Sequence, residues 1–310
     1  MSPFTINPSI SGFSRETALY LANACDLAYS NDPAKAARDL LGLEAEPFNH
    51  KPSDTHGFVG RAPGFAVLAF RGSEEIRERP TNWVVNLRYL QSQQVPYTGR
   101  VHSGFSTALA AAWDNIDSVL RRALPAVAAV GAADPGLPLY VTGHSLGGAL
   151  ATLASCRLGA GELPALSGSA AVRVNLRASY TFGAPRVGDP DFCRAYTPTT
   201  FRVVHNLDLV PLVPLETSEA QRFRGHLPSF TPPWIQELLS RTDPVPDYGD
   251  VGTLIYLDAR GRVTEGGARP NWPDSYIRQS LRSLFRSINA PINDHMIDAY
   301  ITSLASNEAG

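Results

Sequence analysis

The stretch that most restricts how this chain can fold is Leu137-Pro138-Leu139-Tyr140-Val141-Thr142-Gly143-His144-Ser145-Leu146-Gly147-Gly148-Ala149. The apolar run from Leu137 to Val141 predicts a buried strand that breaks at Thr142-Gly143. From Leu146 to Leu158 small and apolar residues recur at helical spacing. A strand that turns this abruptly into a helix brings the two backbones close, which explains glycine at both 143 and 147, where a Cβ has no room. Ser145 then stands at the apex of the turn with a helix N-terminus aimed at it. From that position its hydroxyl can attack an electrophile while the Leu146 N–H faces the oxyanion that forms. The bland alternative, a purely structural turn, leaves the required strand before the motif and the helix after it unexplained.

Around this unit strands and helices alternate, which predicts an α/β fold with a mostly parallel central sheet covered by helices on both faces. Phe65 to Phe70 is a continuous apolar run of the kind buried on both faces, expected as the first central strand. Further strands are expected at about 177–182, 200–204 and 252–258, the last turning back through Ala259-Arg260-Gly261. Ser14 can cap a helix from Arg15 to about Tyr29, and other helices are expected near 34–41, 101–130, 274–287 and 294–304. The remainder of 30–60, with His50 and His56, is expected as loop.

Two insertions stand out. The charged piece Glu74 to Arg79 leads through Pro80 into a segment where Trp83, Val84, Leu87 and Leu90 share one helical face. Because this segment, about 74–92, starts just past a strand end bordering Ser145, it is expected as a movable lid rather than a plain surface helix. Prolines crowd about 216–248 around the amphipathic patch Trp234 to Leu239, the pattern of a cap. The 310 residues are read as a single domain carrying these insertions.

Composition narrows the partners. With 44% hydrophobic and 18% charged residues and a formal net charge of -2, nothing favours nucleic acid or an anionic membrane surface. Cys25, Cys156 and Cys193 are odd in number and far apart, without metal-ligand spacing, so neither a disulfide framework nor a metal or other cofactor is expected. Met1 to Ile10 lacks the basic start and apolar core of a signal peptide, no apolar run is long enough for a transmembrane segment, and localisation stays open.

A serine hydroxyl needs a base, and an imidazole suits that task near neutral pH. In sheets of this kind chemistry gathers at the carboxyl ends of the strands. Asp208 follows the strand near 200–204 and is the expected orienting acid; Asp189 and Asp191, on a looser loop, read as turn formers. With the order nucleophile, acid, histidine, the base is His226 or His295. His295, at the start of the last expected helix, is preferred over His226 inside the cap. His102, His144 and His205 are assigned structural work near the turn.

Phe70-Arg71-Gly72-Ser73, Asn82-Trp83, Val101-His102-Ser103-Gly104-Phe105, Gly143-His144-Ser145-Leu146-Gly147-Gly148-Ala149, Phe182-Gly183-Ala184-Pro185-Arg186-Val187-Gly188 and Val204-His205-Asn206-Leu207-Asp208-Leu209-Val210-Pro211 together resemble the fungal-type triacylglycerol lipases, or class 3 lipases. The resemblance runs in order from about Phe65 to Pro214. It implies an α/β-hydrolase fold and a serine hydrolase, a lipase or esterase of lipid degradation, with Ser145, Asp208 and His295 as catalytic triad. It also implies an oxyanion hole from Ser73 and Leu146, and an ester substrate such as an acylglycerol met in transient contact with a lipid–water interface. A phospholipase A1 or a feruloyl-type esterase would use the same triad, and a catalytically silent lipid-binding protein is the reading from a different class. The chain departs from well-known secreted members in its cysteines and in its longer stretch between Asp208 and His295.

Overall fold

Among the described residues eight strands form the central sheet, and they lie side by side in the order in which the chain makes them. The computed structural model describes residues 5–74, 90–126, 136–164, 170–214, 247–266 and 290–306. The strands are β1 (Glu44–His50), β2 (Thr55–Ala62), β3 (Phe65–Phe70), β4 (Pro138–His144), β5 (Asn175–Phe182), β6 (Thr200–His205), β7 (Thr253–Leu257) and β8 (Val263–Gly266). From β3 to β7 neighbours are parallel, while β1, β2 and β8 run antiparallel at the two edges. The sheet is therefore mostly parallel, and Phe65–Phe70 is the first of its parallel strands.

The helices are α1 (Arg15–Leu27), α2 (Pro33–Leu41), α3 (Ser103–Ala123), α4 (Leu146–Leu158), α5 (Pro190–Ala195), α6 (Ala290–His295) and α7 (Ile297–Ala305). Helices α3 and α4 cover one face of the sheet, and α1, α2 and α7 cover the other. The all-apolar strands follow from this double cover, since alternate side chains must be buried on opposite faces. In β3, Ala66, Leu68 and Phe70 join the core under α3 and α4, whereas Phe65, Val67 and Ala69 join the core under α1 and α7. Ser14 caps α1, its hydroxyl accepting from the Thr17 N–H at 3.1 Å.

Several expectations need correction. Residues 44–62 form β1 and β2 rather than loop, and His50 and His56 lie on those strands. β1 is an edge strand with Pro47 and one buried side chain, Phe48, so it carries no apolar alternation. β2 contains Gly57 and Gly60, which read as breakers. They answer to crowding, because a Cβ on Gly57 would lie 2.1 Å from the Ala69 carbonyl oxygen. β4 does not break at Thr142-Gly143 but stays paired through His144, opposite Phe182. The helix expected from Val101 begins at Ser103, because Arg100–His102 pairs with Gln91–Gln93 and His102 caps the helix through its Nδ1, which accepts from the Phe105 N–H. His295 ends the short helix α6 and precedes the last helix instead of starting it. Trp83, Val84, Leu87, His226, nearly all of the expected cap and the helix expected at 274–287 lie outside the described residues.

All three cysteines are free, and burial pushes the Cys25 thiol up to about 12, the mark of a packing residue rather than a nucleophile. Among the described residues no helix is long and apolar enough to cross a membrane.

Candidate active site

Ser145 joins β4 to α4 with φ 57° and ψ −127°, a region that costs a non-glycine residue about 1–3 kcal/mol. Its surroundings hold it there. Its N–H donates to the Phe182 carbonyl at 2.9 Å, and its own carbonyl accepts from the N–H groups of Gly148 and Ala149 at 2.9 and 3.3 Å. A Cβ on Gly143 would sit 2.1 Å from the Gly147 carbonyl oxygen, and one on Gly147 would sit 2.5 Å from the Phe70 carbonyl oxygen. Gly143→Ala is thus expected to destabilise the protein by about 3 kcal/mol or more in a urea melt. Gly12→Ala, where nothing lies within 4 Å of the new Cβ, should leave the midpoint unchanged. Equal midpoints for the two variants would mean that the turn is not crowded as described.

Asp208 follows β6 by three residues and is fully buried. Its Oδ1 accepts from the Val210 N–H at 2.9 Å, and its Oδ2 accepts from the Tyr300 hydroxyl at 2.5 Å and from His295 Nδ1 at 2.9 Å. Three donors converge on one carboxylate, which fixes both the carboxylate and the tautomer of the imidazole. His295 then presents an unprotonated Nε2 to the Ser145 hydroxyl, 2.9 Å away. Among the described histidines, His295 alone meets Ser145. The chain Ser145–His295–Asp208 can take a proton from the hydroxyl, hold the resulting imidazolium against a carboxylate, and return the proton to a leaving group.

The expected oxyanion donors lie on segments next to the Ser145 turn. Leu146 is the first residue of α4, whose initial N–H groups have no intrahelical acceptor and point toward the turn. Ser73 follows Gly72, which packs against the turn so closely that a Cβ there would lie 3.3 Å from Ser145 Cβ and 2.6 Å from the His144 carbonyl oxygen. Leu90, of the four expected lid residues, is the only one among those described; it is exposed and lies just before Gln91–Gln93. Asp189 caps α5 through the Phe192 N–H at 2.8 Å, and Asp191 pairs with Arg194.

One contributor escapes sequence reasoning, and another, His144, does the structural work expected of it. Tyr300, on the apolar side of α7, has no motif to announce it; its only signal is a hydroxyl-bearing aromatic among buried residues, which needs a polar partner. His144 packs against His295 with ring centroids 4.7 Å apart. Its Nε2 donates to the His295 carbonyl at 2.6 Å, which leaves Nδ1 to accept from the Tyr29 hydroxyl at 3.1 Å. Ser145, Asp208 and His295 are 0%, 0% and 1% exposed, so a bulky substrate reaches them only if something covering them moves.

The model of the "Lipase (class 3)" family matches residues 67–218. A secreted mono- and diacylglycerol lipase of Fusarium solani is 35% identical over 152 residues, 48% of this chain and 39% of that protein. A lipase of Rhizopus niveus is 37% identical over 168 residues, 52% of this chain and 38% of that protein. The match therefore spans well under half the length of either relative. Among solved structures, the Rhizomucor miehei triacylglyceride lipase superposes with TM-score 0.62 over 92% of this chain and 95% of that one at 21% identity. The lipase of Rhizopus microsporus var. chinensis superposes with TM-score 0.60 over 95% and 93% at 22% identity, a likeness of fold. The sheet of β3 to β7, the turn at Ser145 and the matched segment agree: residues 67–218 are similar to the class 3 lipases, and the chain has the α/β-hydrolase fold of the solved fungal lipases.

Proposed function

We propose that this protein is a serine carboxylic-ester hydrolase, acting as a triacylglycerol lipase. The observation that carries the reading is the hydrogen-bonded chain Ser145–His295–Asp208 at 2.9 Å per step, set at a strained strand-to-helix turn. Ser145 Oγ attacks the ester carbonyl while His295 Nε2 takes its proton, and Asp208 orients the imidazole and stabilises its charge. The oxyanion is met by the N–H groups of Leu146 and Ser73, placed beforehand by the α4 N-terminus and the turn after β3. The alkoxide leaves with the proton from His295, giving an acyl-enzyme, and water then repeats the cycle to release the fatty acid.

An acylglycerol substrate is supported by the character of the similar proteins, among them the mono- and diacylglycerol lipase of Fusarium solani. The complete burial of Ser145 fits a substrate met at a lipid–water interface, where apolar area uncovered by a moving lid, proposed at about 74–92, is compensated by lipid at about 25 cal/mol per Å². The test is hydrolysis of nitrophenyl butyrate and laurate, emulsified triacylglycerol and phosphatidylcholine. We expect turnover of the nitrophenyl esters and a sharp rise on triacylglycerol once it forms droplets. Turnover of phosphatidylcholine alone would change the substrate class, and a folded protein that cleaves none of the four would overturn the proposed function.

A further inference from the structure

The acid and the base of the proposed site are 87 residues apart in the chain; Asp208 lies in the loop after β6, and His295 is the last residue of the short helix α6. Something must hold the loop and the helix end in register. Asp294, immediately before His295, reaches across to the turn that carries Asp208. Its Oδ2 accepts from the Asn206 side-chain amide at 3.0 Å and from the Leu207 N–H at 3.2 Å. Its main-chain carbonyl accepts from His205 Nδ1 at 3.2 Å, and the other nitrogen of that ring meets the Ser303 hydroxyl of α7 at 2.8 Å. Three consecutive residues before Asp208 are thus tied to the residue before His295.

We propose that Asp294 is a positioning residue, a bracket that fixes the acid-bearing loop against the end of α6 that carries the base and so sets the Asp208–His295 contact. The inference rests on the hydrolase reading above. The turn it grips is not a relaxed one, since Asn206 has φ 38°, a left-handed conformation for a residue with a side chain. That conformation turns the Leu207 N–H outward, and the carboxylate of Asp294 receives it. The Cα atoms of Asp294 and His295 are about 3.8 Å apart, so a shift of the bracket passes to the imidazole with little attenuation. Holding a carboxylate there is costly. Its side chain is 17% exposed, and burial raises its pKa, as does the neighbouring Asp208, while His205 opposes them. A residue that served only to cover the turn would have no need of an oxygen that accepts from both Asn206 and Leu207.

The experiment compares wild type with Asp294→Ala, Asp294→Asn and Asn206→Gly on soluble nitrophenyl butyrate. It reads kcat, KM, the melting temperature and the low-field proton resonance of His295 Nδ1–H bonded to Asp208. Asp294→Ala is expected to lose about 10²-fold in kcat, the cost of a displacement near 1 Å, with KM little changed and the low-field resonance weakened or moved upfield. Asp294→Asn keeps an acceptor oxygen and should recover most of kcat. Asn206→Gly keeps the left-handed backbone while removing one bond to the carboxylate, and should lose about tenfold; it serves if Asp294→Ala does not fold. A lower melting temperature in Asp294→Ala with unchanged kcat and resonance would make Asp294 structural glue and overturn the proposal. If wild type cleaves no ester, the hydrolase reading fails by itself, and the resonance still decides whether Asp294 positions His295.

Discussion

Replacing Ser145 by Ala is expected to cut kcat on nitrophenyl esters by about 10⁶-fold, down to the residual rate that binding and the oxyanion donors supply. The stability of the variant should stay within about 1 kcal/mol of wild type. The two expectations have separate grounds. The rate falls because the attacking atom is gone, and no other described hydroxyl meets His295 Nε2. The fold survives because alanine occupies the same strained backbone as serine, whose φ of 57° is imposed by the bonds from Phe182, Gly148 and Ala149 and not by the side chain. Turnover within tenfold of wild type would remove Ser145 from the nucleophile's role and leave the turn as a structural feature. A collapse of stability would show instead that the Ser145–His295 hydrogen bond holds the fold.

The turn at Ser145 was legible in the sequence because its constraint is local. Gly143, Ser145 and Gly147 lie within a few residues of one another, and the crowding that excludes a Cβ comes mostly from the same few residues. Asp208 was legible because a strand end is a place as well as a sequence feature. His295 was harder, since its link to Asp208 spans most of the second half of the chain, and the helix break at Met296 that separates α6 from α7 has no sequence marker. Tyr29, His144 and Tyr300 come from α1's end, β4 and α7 to bond His144, His295 and Asp208 respectively, and nothing local in any of those segments signals the other two. The first two strands failed for the opposite reason. Their glycines carry a strong local message of turn, and the tertiary contacts of Gly57 with Ala69 and Phe48 override it.

The companion test concerns the acid and the base together. His295→Ala should be about as inactive as Ser145→Ala, because nothing else described can accept the serine proton. His226→Ala, by contrast, should keep measurable turnover if the base is assigned correctly. Asp208→Asn is the more informative change, since the partners of its two oxygens are not equivalent. Oδ1 faces the Val210 N–H, a fixed donor that cannot become an acceptor, so the new amide must keep its carbonyl there. Its NH₂ then falls on the Oδ2 side, where the Tyr300 hydroxyl can rotate to accept and His295 Nδ1 can respond only by giving up its proton. That forces the proton onto Nε2, the position from which the base must act on Ser145. The expected loss is about 10⁴-fold in kcat with little change in KM, because the geometry stays and the tautomer is wrong. Tyr300→Phe removes one donor and leaves the tautomer alone, and should cost far less. If Asp208→Asn and Tyr300→Phe reduce kcat equally, the carboxylate acts through general packing and not by setting the protonation of His295.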